Sequence, residues 1–264
     1  MKPENAAAAG SPAPAEPIYV FGSSMQGGHR DGSAATAARF HGAEHGVWRG
    51  PSGNAFAIPF RNPDGRLLPL AEIGRHVASL RQYAASKPGL ALRVAHFGCG
   101  RGEYLDRDLA PLFARMPENC ALPALWRREL EPGRPERVLL VDPEGKLRDS
   151  DWQETLLAQL AVRLPSTATA NLEFVSTGGA RNLIAADAAA RRVGCPHRIF
   201  AENPAYYGRA AAQAAEMAAV WAATQVLTIC NPDQTANPSL MRLLAHAARE
   251  GLACVELSAP GQRR

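Results

Sequence analysis

No run of 18 consecutive apolar residues occurs in the chain, so nothing in it reads as a membrane-spanning helix. Charge of one sign is also scarce. The net charge is +4, and all of it lies in the first half: residues 1–130 carry 15 Lys and Arg against 11 Asp and Glu, whereas residues 131–264 carry 14 of each. That bias suits a small anionic ligand and argues against duplex nucleic acid, which asks for a clustered basic face. Aromatic residues make up only 6%, and Trp48, Trp126, Trp152 and Trp221 are too scattered to form a stacking platform for single strands. They fit core or interdomain packing better.

No CxxC pair is found among Cys99, Cys120, Cys195, Cys230 and Cys254, and none stands at zinc-type spacing from a histidine. No metal site is expected on that ground, and reduced thiols fit a cytoplasmic setting. Residues 1–17 lack the 7–15-residue apolar core of a signal peptide. With their Ala, Pro, Gly and Ser content they read as a disordered tail, as do residues 259–264.

What is present is 46% hydrophobic residues in short runs that alternate between two periodicities. Strands are expected at 18–21, 54–59, 90–97, 138–141, 172–177, 197–201, 226–230 and 253–257. Helices are expected from Ser33 (as N-cap) to Phe40, and at 70–86, 106–116, 151–164, 183–193, 209–223 and 239–250. Such alternation is the signature of an α/β chain with parallel sheets and helices on both faces. The polar Pro/Gly stretch 131–136 reads as a linker between a first domain, 18–130, and a second, 137–258.

Glycines gather where expected strands give way to helices: Gly22 to Gly32, Gly98 to Gly102, and Gly178-Gly179. Ligands of open α/β sheets bind beyond the carboxyl ends of strands, where helix N-termini present N–H groups and glycine admits a phosphate closely. One such loop is equally well explained as a tight turn, but three in one chain favour a ligand. Within and beside the loops, His29 offers a phosphate ligand or general acid/base, or simply a hydrogen bond to its own loop. Asp31 offers a contact to an adenine or ribose, or a helix cap. Asn54 offers an amide to orient a ribose or water, or a satisfied strand end. Arg101 and Arg181 suit bidentate phosphate contacts or plain solvent exposure. Covalent catalysis by Cys99 is disfavoured, because His96 would face away from it on a strand reaching Phe97.

The first-half motifs are Val20-Phe21-Gly22-Ser23-Ser24, Gly28-His29, Gly32-Ser33-Ala34-Ala35, Gly53-Asn54-Ala55-Phe56-Ala57-Ile58-Pro59, Phe97-Gly98-Cys99-Gly100-Arg101-Gly102-Glu103-Tyr104 and Leu109-Ala110-Pro111-Leu112-Phe113. They resemble a family of small phage and bacterial proteins of uncharacterised activity, with Ser24 in place of the family's Asn and Arg101 and Glu103 in place of its Leu-Ala-Gly chemistry. That family is in turn distantly similar to macro domains. The resemblance implies a three-layer α/β/α domain that grips the diphosphate of an ADP-ribose-like nucleotide. Gly22, Ser23, Ser24, Gly27, Gly28, His29, Gly32 and Asn54 would lie on one side, and Gly98, Cys99, Gly100, Arg101 and Gly102 on the other.

Thr177-Gly178-Gly179-Ala180-Arg181-Asn182 and Ala205-Tyr206-Tyr207-Gly208-Arg209-Ala210-Ala211 resemble the SLOG superfamily of Rossmann-like nucleotide-binding domains. The resemblance implies a second site at Gly178, Gly179, Ala180, Arg181 and Tyr207, without the superfamily's usual Asp and Arg-Asn companions. Three functions stay open: a sensor or sequestering protein for an NAD-derived nucleotide, in a phage–host conflict setting that the resemblance alone implies; a hydrolase of an ADP-ribosyl or N-glycosidic bond using His29, Asp31 or Asn54; and an interaction scaffold with decayed sites. No cofactor beyond that nucleotide is implied, and homo-oligomerisation is left open.

Overall fold

The computed structural model describes residues 16–99, 103–131, 133–163, 171–229 and 237–257. The expected tails therefore lie outside the described residues, except for Glu16 and Pro17. Among the described residues the chain is mixed α/β and forms two five-stranded sheets.

In the first sheet the elements are β1 (Ile18–Ser24), α1 (Gly32–Phe40), β2 (Gly50–Ser52), β3 (Ala55–Arg61), α2 (Leu70–Ser86), β4 (Leu92–Val94), α3 (Asp106–Leu109, continued by a 3₁₀ turn to Phe113), β5 (Cys120–Ala121) and α4 (Ala124–Leu130). The strands lie in the order β2-β3-β1-β4-β5, with every pair parallel except β2–β3. The antiparallel arm β2 corrects the expectation of wholly parallel sheets; three residues of Gly-Pro-Ser carry no strand signal. β1 is buried from Ile18 through Ser23 on both faces, as a central parallel strand must be. Right-handed crossovers β1-α1-β3 and β3-α2-β4 run in opposite directions across the sheet, which places α1 and α2 on opposite faces.

α2 matches its expected bounds. Ile73, Val77, Leu80 and Ala84 recur at helical spacing and are completely buried, and Lys87 caps it before Pro88-Gly89. Each of the three larger side chains contributes about 1.5–3 kcal/mol of burial. Trp126, on α4, is also fully buried, against Phe113 at 4.6 Å and Phe97 at 5.6 Å between ring centroids.

The second sheet contains β6 (Glu136–Val141), α5 (Ser150–Arg163), β7 (Leu172–Thr177), α6 (Ala180–Val193), β8 (His197–Phe200), α7 (Pro204–Tyr207), α8 (Ala211–Ala222), β9 (Gln225–Thr228), α9 (Pro238–Arg249) and β10 (Ala253–Glu256). Its order, β10-β9-β6-β7-β8, is parallel throughout. Alternate residues of β6 serve opposite faces: Val138 and Leu140 join a core with α5 and α6, and Leu139 joins one with α8 and α9.

Several boundaries differ from expectation for local reasons. α1 begins at Gly32, so Ser33 is not its N-cap; Asp31 holds that position, in extended backbone and without a side-chain capping bond. The segment 90–97 is a strand only from Leu92 to Val94, because Gly98 takes φ +73° and the chain bends away to wedge Phe97 beneath Gly22. The helix expected at 209–223 begins only at Ala211, after a 3₁₀ turn from Gly208 (φ +54°) to Ala210, and the short helix α7 before Gly208 was not expected.

Between the sheets, α4 is shared rather than free. Trp126 enters the first core while its neighbour Leu125 joins Leu139, Val175 and Val220 of the second. The Trp221 indole N–H of α8 donates to the Val94 carbonyl at 2.7 Å. Glu16 accepts from Asn203 Nδ2 at 2.9 Å and from the Tyr207 hydroxyl at 3.1 Å. No helix among the described residues is long and apolar enough to cross a membrane.

Candidate functional site

In the first sheet the chain leaves β1 toward β3 on one side and later returns past it to β4 on the other. The carboxyl ends of β1 and β4 are therefore a topological switch point, where the departing loops diverge and open a crevice. A cavity of about 1000 Å³ occupies that crevice and runs on between the first half and helices α8 and α9 of the second. Its walls include Gly22 and Ser24 at the end of β1, Gly28 to Ala35 leading into α1, and Ala95 to Cys99 after β4; Met217 and Trp221 of α8 and His246 and Glu250 around α9 close the far side.

The N–H groups of Gly32, Ser33 and Ala34 form the first turn of α1 and have no partners within the helix. The three residues line the cleft, which sets the positive end of the helix dipole beside it, the arrangement that favours an anion. The Ser33 hydroxyl accepts from Gly22 N–H at 3.3 Å and so ties the helix start to the end of β1. Among the described residues six arginines and four carboxylates line the cleft. Arg61 is paired with Glu103 and Arg242 with Glu216, whereas Arg30, Arg39, Arg93 and Arg249 form no ion pair among the described residues. The unpaired excess is cationic.

The glycines divide by what a side chain would meet. At Gly22 a Cβ would press on the Phe97 ring at 2.5 Å, and at Gly27 (φ +65°) on the Gly46 backbone at 2.7 Å. Gly98 would meet Leu109 at 2.9 Å. These three are needed by packing. Gly28 and Gly32 have nothing within 4 Å, so they leave room beside the helix start.

Ser24 and Gly28 to Ser33 line one cleft with Gly98 and Cys99. Ser23 does not join them; it is buried and its hydroxyl donates to the Trp48 carbonyl. His29 is held at φ +39° with its ring against Phe21 and its Nε2–H donating to the Val47 carbonyl at 3.2 Å. Burial lowers its pKa, and the ring braces the loop rather than reaching outward. Asp31 is exposed at the cleft edge. Asn54 is displaced from the site: it precedes β3, at the amino ends of the strands, where its amide donates to the carbonyls of Glu16 and Pro17 and to Tyr206 Oη. Gly100, Arg101 and Gly102 lie outside the described residues.

The second set is not brought together. Gly178 and Gly179 follow β7, whose neighbours are β6 and β8, so they stand one strand away from the second sheet's own switch point between β6 and β9. Gly179 caps α6, with Ala180 and Arg181 in its exposed first turn. Tyr207 belongs to the first cleft instead, with its ring 5.9 Å from Phe40 and 6.1 Å from His41. At the true second switch point, the buried Asp142 carboxylate accepts from Gly145 N–H at 2.8 Å and Leu147 N–H at 2.7 Å. The protein's own carboxylate sits on the N–H groups an anion would use.

Because β4 ends at Val94, His96 is not turned away from Cys99, which corrects the expected geometry. Its Nε2 stands 2.5 Å from Asp106 Oδ1, its Nδ1 stands 3.0 Å from Glu250 Oε2, and the side chain is 7% exposed. Burial opposes a charge there, but hydrogen bonds with Asp106, Cys99 and Glu250 outweigh it and push the pKa up to about 12. Asp106 is held below its ordinary range by His96 against the cost of burial, and also accepts from the Trp126 indole at 2.8 Å. Burial raises the Cys99 thiol. A raised thiol beside a histidine whose two nitrogens both hold carboxylates is poorly prepared to act as a nucleophile. Sequence reasoning missed this cluster and the cleft wall formed by Trp221 and Glu250, since no local pattern links Glu250 to a residue 154 positions earlier.

Set against known proteins, the chain matches no family model and no curated sequence.

Proposed function

We propose that the protein binds an ADP-ribose-like or other NAD-derived nucleotide in the cleft at the first switch point, as a sensor or sequestering protein. The observation that carries this reading is the coincidence of the α1 N-terminus, the open Gly28 and the excess of arginine in one crevice of about 1000 Å³. That volume is at the upper end for small-ligand sites and suits an extended dinucleotide-sized molecule. The parallel strands around the first cleft succeed one another as 2-1-3-4 and those of the second sheet as 3-2-1-4-5, orders shared with doubly wound nucleotide-binding sheets. These orders support a Rossmann-like second half; the macro-like reading of the first half rests on its motifs.

A hydrolase working through Asn54 has no support, since that amide is at the wrong end of the sheet. Calorimetric titration with ADP-ribose, NAD and AMP tests the reading, with the diphosphate-bearing ligands expected to bind more tightly than AMP. Absence of heat with all three would overturn it. Product analysis after overnight incubation of any ligand that binds is expected to return it intact.

A further inference from the structure

We propose that His96, Cys99 and Asp106 form a binding site for a divalent transition-metal cation of the zinc class, on the floor of the interdomain cleft. One imidazole nitrogen, one thiol sulfur and one carboxylate oxygen lie within 4.8 Å of one another. This mixture of donors suits zinc and its neighbours; magnesium and calcium prefer oxygen alone. Three protein ligands with a fourth position left over is the format of an open zinc site, and His96 and Cys99 both line the cleft from which that position is reached.

The surroundings are those a metal-ligating histidine uses. Glu250 Oε2 accepts from Nδ1–H at 3.0 Å, which orients the ring and leaves Nε2 as the ligating nitrogen. The Trp126 indole N–H donates to Asp106 Oδ1 at 2.8 Å and fixes the carboxylate in place. Seating the cation releases two protons to solvent, one from His96 Nε2 and one from the Cys99 thiol. Nε2 and Oδ1 then part from 2.5 Å to about 3.3 Å, the separation of two ligands about 2.0 Å from a tetrahedral ion. The inference stands apart from the nucleotide reading, because the three ligands bind a cation whether or not the rest of the cleft is filled.

Cobalt(II) titrated into the chelator-treated full chain tests it. One equivalent is expected to bind with tetrahedral d–d absorption and a thiolate-to-cobalt charge-transfer band. Cys99→Ser is expected to abolish that band and weaken binding at least a hundredfold. Substitution of the exposed Cys254 by serine leaves both unchanged. Glu250→Gln retains the band and loses about 10- to 100-fold in affinity. Should Cys99→Ser fail to fold, alkylation of the wild-type chain read by mass spectrometry decides, with zinc expected to protect Cys99 and to leave Cys254 reactive. Failure to bind cobalt, a charge-transfer band that survives Cys99→Ser in folded protein, or alkylation of Cys99 unaffected by zinc would each overturn the site and leave His96 as an ion-pair tie between the halves. None of these readouts depends on a nucleotide.

Discussion

Each half of the molecule builds a largely parallel sheet with a switch point, yet the two switch points have opposite fates. In the first, β1 and β4 part around a helix start with free space at Gly28 and arginines nearby. In the second, β6 and β9 part around Asp142, whose carboxylate takes the N–H groups of Gly145 and Leu147 for itself. A crevice whose donors are already satisfied by a buried internal anion repels a second one. The topology that makes a site is thus present twice, and the side chain at the strand end decides which copy is open.

The largest test of that contrast is a pair of glycine substitutions. At Gly28 and Gly179 an added Cβ would have nothing within 4 Å, and neither residue has a positive φ, so the fold accepts valine at both. Gly28→Val puts two methyl groups where the phosphate would sit and is expected to cost about a thousandfold in ADP-ribose affinity by calorimetry, about 4 kcal/mol. Gly179→Val is expected to change it less than twofold. Equal effects at the two glycines would break the comparison.

Removing the internal anion comes next. Asp142→Ala strands two buried N–H groups and is expected to cost about 3 kcal/mol in urea unfolding, while ADP-ribose affinity stays within twofold under folding conditions. A gain of nucleotide binding in the second half would instead show that Asp142 was the sole barrier there. A smaller effect separates the arginines: Arg30→Ala is expected to weaken binding about tenfold and to reduce its salt dependence, and Arg181→Ala to do neither.

The α/β class and most elements were legible because strands and helices here keep clean periods; α2 and β7 fall on their expected bounds. The glycine loops were legible as strand-to-helix turns, but not the division of labour within them. Gly22 and Gly28 look alike as letters and differ only in whether Phe97 lies opposite. Asn54 was grouped with the glycine loops by its motif, although its place at the start of the expected strand 54–59 puts it at the opposite end of a parallel sheet from them. His96 was misread because the strand stops at Val94, short of the expected end at Phe97, so strand alternation does not set the direction of its side chain. The wall formed by α8 and α9 had no signal at all, since docking of two sheets depends on surfaces assembled from distant segments.

The smallest expected effect reports on that docking. His41 stacks on Tyr19 at 4.5 Å and is covered by Tyr206 and Tyr207 from the second half, and burial, then Arg93, lowers its pKa to about 4. A lowered pKa means the unfolded chain binds the proton more readily between about pH 4 and 6.5, so stability rises with pH across that window and is lost below it. His41→Phe keeps the stack and removes the proton, and is expected to flatten part of that rise; His29, His76, His197 and His246, also lowered by burial, retain the remainder. His96 acts in the other direction, since its raised pKa makes stability fall as pH climbs above 6.5. Tyr207→Ala uncovers His41 without touching it, and an NMR titration of the ring is expected to move upward toward 6.5. If the His41 pKa stays near 4 in that variant, Tyr207 does not shield the ring, and its burial comes from Tyr206 and the first-half core.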